Sequence, residues 1–526
     1  MKRISKLGLA AALGVLCMGA LLLAPARGQA AELSRLSHLN LVKTESGLVL
    51  GAADDDVVAF KGVPYAAPPV GALRWRPPQP APAWSAAFKA DKLGAICMQK
   101  YLPKDNGVGP LPMSEDCLTL NIWRPFKETT RPLPVMVWIH GGGFVNGSGT
   151  AALYDGTALA RQGVVVVTLN YRLGRFGFFA HPALTREAAG GPVGNYGVMD
   201  QVAALKWVKA NIAGFGGDPD QVTIFGESAG GISVNHLMVS PAARGLFKRA
   251  IVESGAGREY SVRLHEANPM GQPSAEATGA AFAKSVGVPG DDPTALRALS
   301  AETILAAGDP APLGGSGPII DGRLVTMDVA DAFAKGLEAK VPYIVGSNSL
   351  EFPIPAAGVE KMLGDVTRLT LEQRAKIEAA YGDKDAFTQN IVSDVIFTEP
   401  ARHLAALHAA NGQPSFLYRF SVLSPAMRSM LKGAVHASER QYVFQTLNAS
   451  PWPTSEQDKA AAVVMSAYWT DFAKTGDPNG GARPTWPAYS AAEDRLLDFT
   501  NDGPVASKVP QPGRLDAIAA NEPAGR

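Results

Sequence analysis

Near the middle of the chain a serine has glycines two residues to either side, in Val222-Thr223-Ile224-Phe225-Gly226-Glu227-Ser228-Ala229-Gly230-Gly231. A serine hydroxyl is a weak nucleophile at neutral pH. It attacks a carbonyl only when a base takes its proton and fixed N–H donors receive the charge that builds on the carbonyl oxygen. Gly226 and Gly230 fit a strand-to-helix turn so tight that a Cβ at either place would collide, and such a turn lifts the hydroxyl of Ser228 above a sheet. The helix that follows aims its N-terminus and the Ala229 amide at the reacting centre. G-x-S-x-G also arises by chance in a chain with 55 glycines, so its meaning rests on the partners.

Donors are offered by Trp138-Ile139-His140-Gly141-Gly142-Gly143-Phe144, which follows an apolar run. A phosphate cradle would continue into G-K-[ST], which is absent, and a dinucleotide fingerprint fails because Asn146 stands where its last glycine belongs. What remains is a loop whose backbone N–H groups turn inward to an oxyanion, with Gly142 and Gly143 supplying two and Ala229 the third. His140 reads as a brace for this loop.

A base and an acid must come later in the chain, in the order Ser, acid, His. His403 and His408 fall in the helical pattern Glu399–Gly412, where packing explains them, whereas His436 sits in the glycine-entered loop Leu431–Glu439 and is the preferred base. Glu351 directly follows the apolar run Val341–Ser349, at the edge where open α/β sheets collect ligands. Its rival Asp321 precedes a glycine in a turn and reads as structural. Glu227 points away from the hydroxyl in a strand-like register and reads as buried support.

The elements that must position these groups are visible as apolar, β-branched runs at 133–140, 163–172, 221–228, 248–254 and 341–349, the signature of strands buried on both faces. Between the second and third, Val198, Val202, Leu205, Val208 and Ile212 recur at helical spacing up to a glycine stop. Strand, helix, strand, nucleophile, helix predicts an α/β domain with a mostly parallel central sheet and helices on both faces. Residues 63–84 are proline-rich surface loop packed by Trp75 and Trp84, and 258–315 reads as a helical and loop insertion over the active site.

Residues 1–30 begin with Lys2, Arg3 and Lys6, continue as an apolar run and end in small residues, which predicts a secretory signal peptide and places the protein in the periplasm or outside the cell. Residues 31–526 then form one domain, with no membrane-inserted segment in the mature chain. Charged residues are 18% and the formal net charge is +1, which gives no reason to expect nucleic acid as a partner and suits a small neutral ligand. Cys17 lies in the leader. Cys97 and Cys117 remain as one disulfide or as two buried thiols; the disulfide is worth about 3 kcal/mol on the chain-entropy account.

Together the segments Ser114–Pro125, Val137–Phe144, Asn170–Phe179, Gly194–Gly231 and Phe472–Asn479 resemble the type B carboxylesterase and cholinesterase family of α/β-hydrolases, over nearly all of the mature chain. The resemblance implies the α/β-hydrolase fold, Ser228 as nucleophile, Glu351 as acid, His436 as base, an oxyanion hole of Gly142, Gly143 and Ala229, and a disulfide between Cys97 and Cys117. Many members carry Asp-Glu-Gly around the acid. Here Leu350-Glu351-Phe352 stands instead, so the loop and the pocket beside it are expected to differ.

The expected function is hydrolysis of carboxylic esters through an acyl enzyme, on a small-molecule ester substrate and without metal or organic cofactor. The alternatives are an acyltransferase or amidase on the same triad, and a noncatalytic binding module on the same fold. A neutral imidazole is required, so the rate is expected to rise through a pKa near the ordinary value of about 6.5, moved by its neighbours. Phe144, Tyr260 and Phe352 are candidate pocket walls. Nothing in the sequence fixes the oligomeric state.

Overall fold

The computed structural model describes residues 40–100, 112–258, 260–288, 290–308, 316–367 and 369–521; the leader read at 1–30 lies outside them. Twelve strands form the continuous path of the main sheet: β1 Leu41–Thr44, β2 Gly47–Asp54, β3 Val57–Pro64, β4 Thr119–Pro125, β5 Leu133–Ile139, β6 Val165–Leu169, β7 Gly217–Glu227, β8 Arg249–Glu253, β9 Tyr343–Asn348, β10 Ser415–Phe420, β11 Arg495–Thr500 and β12 Gly503–Lys508. Their spatial order is β1-β2-β3-β4-β6-β5-β7-β8-β9-β10-β11-β12, and a short strand, Phe88–Ala90, pairs with β2.

The block from β6 to β11 is parallel throughout. It contains all five strands that the apolar runs predict. β1 to β4 and β12 are antiparallel flanks. In β2 and β12 most side chains stay at least partly exposed, so these strands lack the uninterrupted apolar run by which a doubly buried strand is recognised.

Alternate residues of each central strand feed two different cores, as the two-residue period of a strand requires. Val135, Val137 and Ile139 of β5 pack on one face with α1 (Tyr196–Asn211) and α2 (Ala229–Val239). Met136 and Trp138 pack on the other with α4 (Glu456–Thr475), through Trp469 and Phe472. α3 (Glu399–Ala410) joins the first face through Leu404 and Ala405. A buried ion pair ties this face together: Arg172, just after β6, donates from Nε and Nη2 to the two oxygens of Asp200 on α1, at 2.8 Å each. Single removal of either partner would strand a buried charge.

A third cluster, with Val359, Leu363, Phe387, Ile391 and Phe397, is built by helices inserted between β9 and β10. Over 275–306 the expected insertion is also helical. The sulfurs of Cys97 and Cys117 are bonded, across 20 positions of sequence.

Between β5 and β7 the strand order reverses, since β6 lies on one side of β5 and β7 on the other. The loops leaving these two strands therefore diverge and open a crevice at the carboxyl edge of the sheet. The glycine run 141–143 leaves β5, and Ser228 leaves β7. Ser254, Glu351 and His436 follow β8, β9 and β10 at the same edge.

Candidate active site

Ser228 sits between β7 and α2 with φ 55° and ψ −124°, a conformation that a non-glycine residue occupies only under local constraint. Its N–H is held by the Glu253 carbonyl at 2.9 Å, and its own carbonyl accepts from Ile232 in the first turn of α2. The flanking glycines are required by contact. A Cβ on Gly226 would lie 2.6 Å from the Gly230 backbone, and one on Gly230 would lie 2.0 Å from the Ile139 carbonyl oxygen. The turn thus presses against its own far side and against β5.

The glycine run has equally specific reasons. A Cβ on Gly141 would meet the Glu227 carboxylate at 2.8 Å and Ser228 Cβ at 3.1 Å. Gly142 has φ +102°, and its Cβ would strike Asn146 at 2.2 Å. The Gly142 carbonyl accepts from Val145 and Asn146, which closes the loop. His140 braces it as expected, stacked on Tyr171 with ring centroids 4.4 Å apart, while the Tyr171 hydroxyl donates to the His140 carbonyl. Burial holds the His140 pKa down to about 4, so it stays neutral. Gly143 and Ala229 line a cavity of about 440 Å³ beside Ser228; Gly142 is not among the residues that line it.

Glu351 is fully buried and makes three contacts at once. One oxygen accepts from Ser254 Oγ at 2.6 Å and from the Asn348 N–H at 2.7 Å, and the other meets His436 Nδ1 at 2.7 Å. Main-chain bonds from His436 N to Glu351 O and from Leu350 N to Ala434 O zip the two loops together. This fixes the imidazole with Nδ1 toward the carboxylate. His403 and His408 stay on α3, where His408 is buried against Glu338 and the Val341 carbonyl. Asp321 caps its own turn by accepting from the amides of Arg323, Leu324 and Val325.

No hydrogen bond joins Ser228 Oγ to His436 among the described residues. His436 Nε2 lies instead 3.2 Å from Glu227 Oε1. Glu227 is buried, as its register predicts, and its carboxylate faces the base as well.

The surroundings move the base from its ordinary value. Burial lowers the His436 pKa, but the Glu227 charge, the hydrogen bond to Glu351 and the charges of Glu351 and Glu439 outweigh it and raise the pKa to about 9. This is well above the value near 6.5 expected from an unperturbed imidazole. Burial also pushes Glu439 up to about 8, reinforced by Glu227 and Glu351, and raises Glu253.

Ser254, Asn348, Phe397, Glu439 and Arg440 escape the sequence reading. Ser254 ends a predicted strand, so its place at the sheet edge was the available signal. Phe397 was hidden in the π-helical stretch Asp394–Thr398, where the helical period that identifies a packed face is broken. It stacks on the His436 ring at 4.8 Å, and Phe352 covers the same ring at 4.8 Å. Phe144, Tyr260, Phe352 and Phe397 all line the cavity.

A mostly parallel sheet with a sharp strand-to-helix turn at its switch point and an imidazole held by a buried carboxylate at the same edge is the architecture of an α/β-hydrolase. Its sequence places it more closely: residues 38–513 match the Carboxylesterase family, and the chain belongs to that family. It is 37% identical over 482 residues to the fumonisin B1 esterase of Sphingopyxis macrogoltabida, covering 85% of this chain and 84% of that one. It is 37% identical to the para-nitrobenzyl esterase of Bacillus subtilis (87% and 94% covered) and 36% identical to human bile salt-activated lipase (88% and 67%). Among solved structures a PNB esterase superposes with TM-score 0.79 at 33% identity, covering 91% of this chain and 99% of its own. A Geobacillus stearothermophilus carboxylesterase gives TM-score 0.78 at 32% identity, covering 91% and 100%. The protein is a carboxylic ester hydrolase of the carboxylesterase family.

Proposed function

We propose that Ser228, His436 and Glu351 carry the hydrolysis as nucleophile, base and acid, with the amides of Gly142, Gly143 and Ala229 receiving the oxyanion. Ser228 Oγ attacks the ester carbonyl as its proton passes to His436 Nε2, and the tetrahedral intermediate places its negative oxygen among the three N–H groups. The imidazolium then protonates the leaving alcohol. Water enters, gives its proton to the same nitrogen and attacks the acyl enzyme, and collapse restores the serine. Glu351 stabilises the imidazolium and holds the tautomer throughout. The observation that carries this reading is the 2.7 Å contact of His436 Nδ1 with a carboxylate that Ser254 and Asn348 already fix, behind Phe352 and Phe397, which cover the His436 ring and line the cavity that holds Ser228.

The substrate is a small neutral ester with an apolar or aromatic portion. In favour are the cavity volume of about 440 Å³ and its walls of Phe144, Tyr260, Phe352 and Phe397, a size and character typical of small-molecule sites. Relatives named for para-nitrobenzyl and fumonisin B1 esters agree with a bulky alcohol side. The basic and apolar leader over residues 1–30 and the Cys97–Cys117 disulfide support export to the periplasm or the medium. Ser228→Ala tests the assignment: turnover of p-nitrophenyl acetate falls by several orders of magnitude with the circular dichroism spectrum unchanged. Turnover close to wild type would remove it.

A further inference from the structure

The nitrogen that must accept the serine proton has a competitor. Glu227 Oε1 lies 3.2 Å from His436 Nε2, and an anion there favours the protonated form of the imidazole. The other oxygen of the same carboxylate, Oε2, faces Arg440 Nη1 at 3.7 Å. Arg440 is buried and anchored on two further sides, donating from Nε to the Ala437 carbonyl at 2.9 Å and from Nη1 to the Tyr154 hydroxyl at 2.7 Å. One carboxylate is thus shared between a permanent cation and the base.

Titratable and charged groups cluster around His436. Glu227 comes from the end of β7, Glu253 from β8, Glu351 from the loop after β9, Tyr418 from β10, and Glu439 and Arg440 from the segment that carries the histidine itself. Glu439 is additionally tied to Asn348 Nδ2 at 2.5 Å. Three carboxylates, Glu227, Glu351 and Glu439, favour an imidazolium, and Arg440 is a fixed positive charge set against them. Its guanidinium lies outside the set of groups that line the substrate cavity.

We propose that Arg440 is a positioning residue for the ester hydrolysis: by holding one oxygen of Glu227 it weakens the grip of the other on His436 Nε2, which leaves that nitrogen available for the Ser228 proton. The inference rests on the triad assignment above. Arg440 touches neither substrate nor reacting atoms and acts through Glu227.

The test is the pH dependence of kcat/KM, which reports the free enzyme. Arg440→Gln removes the cation that faces Glu227 Oε2, so the midpoint moves to higher pH by about one unit, the rate at pH 7 falls about tenfold and KM holds steady. Arg440→Lys keeps the charge and restores most of the midpoint. Tyr154→Phe, nearly isosteric, releases Nη1 toward Glu227 and moves the midpoint the other way, which gives a reading even where Arg440→Gln fails to fold. In a Glu227→Gln background, Arg440→Gln causes little further movement. A midpoint unmoved in folded Arg440→Gln or in Tyr154→Phe overturns the proposal, as does an equal shift with and without Glu227. Failure of the triad itself is separate: it would show as full activity in Ser228→Ala.

Discussion

Replacing Glu227 by glutamine keeps the volume beside Ser228 and removes the charge that most raises the basicity of His436. With that pKa at about 9, the neutral imidazole is about one hundredth of the enzyme at pH 7, since each unit between pH and pKa is a factor of ten. Wild-type kcat/KM should therefore climb roughly a hundredfold between pH 7 and its alkaline plateau. In Glu227→Gln the midpoint falls toward the ordinary value near 6.5. Even a fall of one unit gives about ten times more neutral base at pH 7. The plateau also drops, because Glu227 no longer stabilises the imidazolium that forms in the transition state, so the midpoint is the quantity to compare. The assay is initial-rate hydrolysis of p-nitrophenyl acetate from pH 5 to 10, with alkaline hydrolysis subtracted and stability checked at each pH. A wild-type plateau already reached at pH 7, or a midpoint that stays put in Glu227→Gln, would refute the electrostatic reasoning.

Other expectations follow from single contacts. Gly142→Ala should lower kcat by 10²- to 10³-fold, because a Cβ 2.2 Å from Asn146 displaces the loop that presents the oxyanion donors. Steady-state kinetics on folded variant protein measures it. Ser254→Ala removes one of the donors that fix Glu351; kcat should fall about tenfold with KM little changed, and restoration by Ser254→Thr would mark the hydroxyl as the cause. Phe352→Gly opens the wall beside His436, so kcat/KM for bulky esters should rise relative to acetate esters, read from a panel varied separately in acyl and alcohol size. Cys97→Ser should cost about 3 kcal/mol of stability for a 20-residue loop, seen as a lower denaturation midpoint than the oxidised parent.

The parts legible in the sequence are those that close contact forces on residue type. Gly226, Gly230 and Gly142 are glycines because no Cβ fits, and the central strands are unbroken apolar runs because both faces are covered. Glu351 was placed by the apolar run it follows to the carboxyl edge, and His436 by chain order and its glycine-entered loop. What stayed hidden depends on side-chain reach across elements that are distant in sequence. Glu227 and Arg440 are 213 positions apart in number, yet share a carboxylate contact, and no local pattern announces it. The basicity of His436 was missed for the same reason: it is the sum of contributions from three separate segments, carrying Glu227, Glu351 and Glu439. The flanking strands β2 and β12 carry partly exposed faces, so they lack the unbroken apolar run that marks the central strands.

The most direct measurement is covalent capture of the nucleophile. Folded protein treated with a fluorophosphonate and mapped by peptide mass should carry one adduct, on Ser228, with labelling slowed by orders of magnitude in His436→Ala. An unlabelled Ser228 in folded wild-type protein, or an equal labelling rate without the imidazole, would contradict the account.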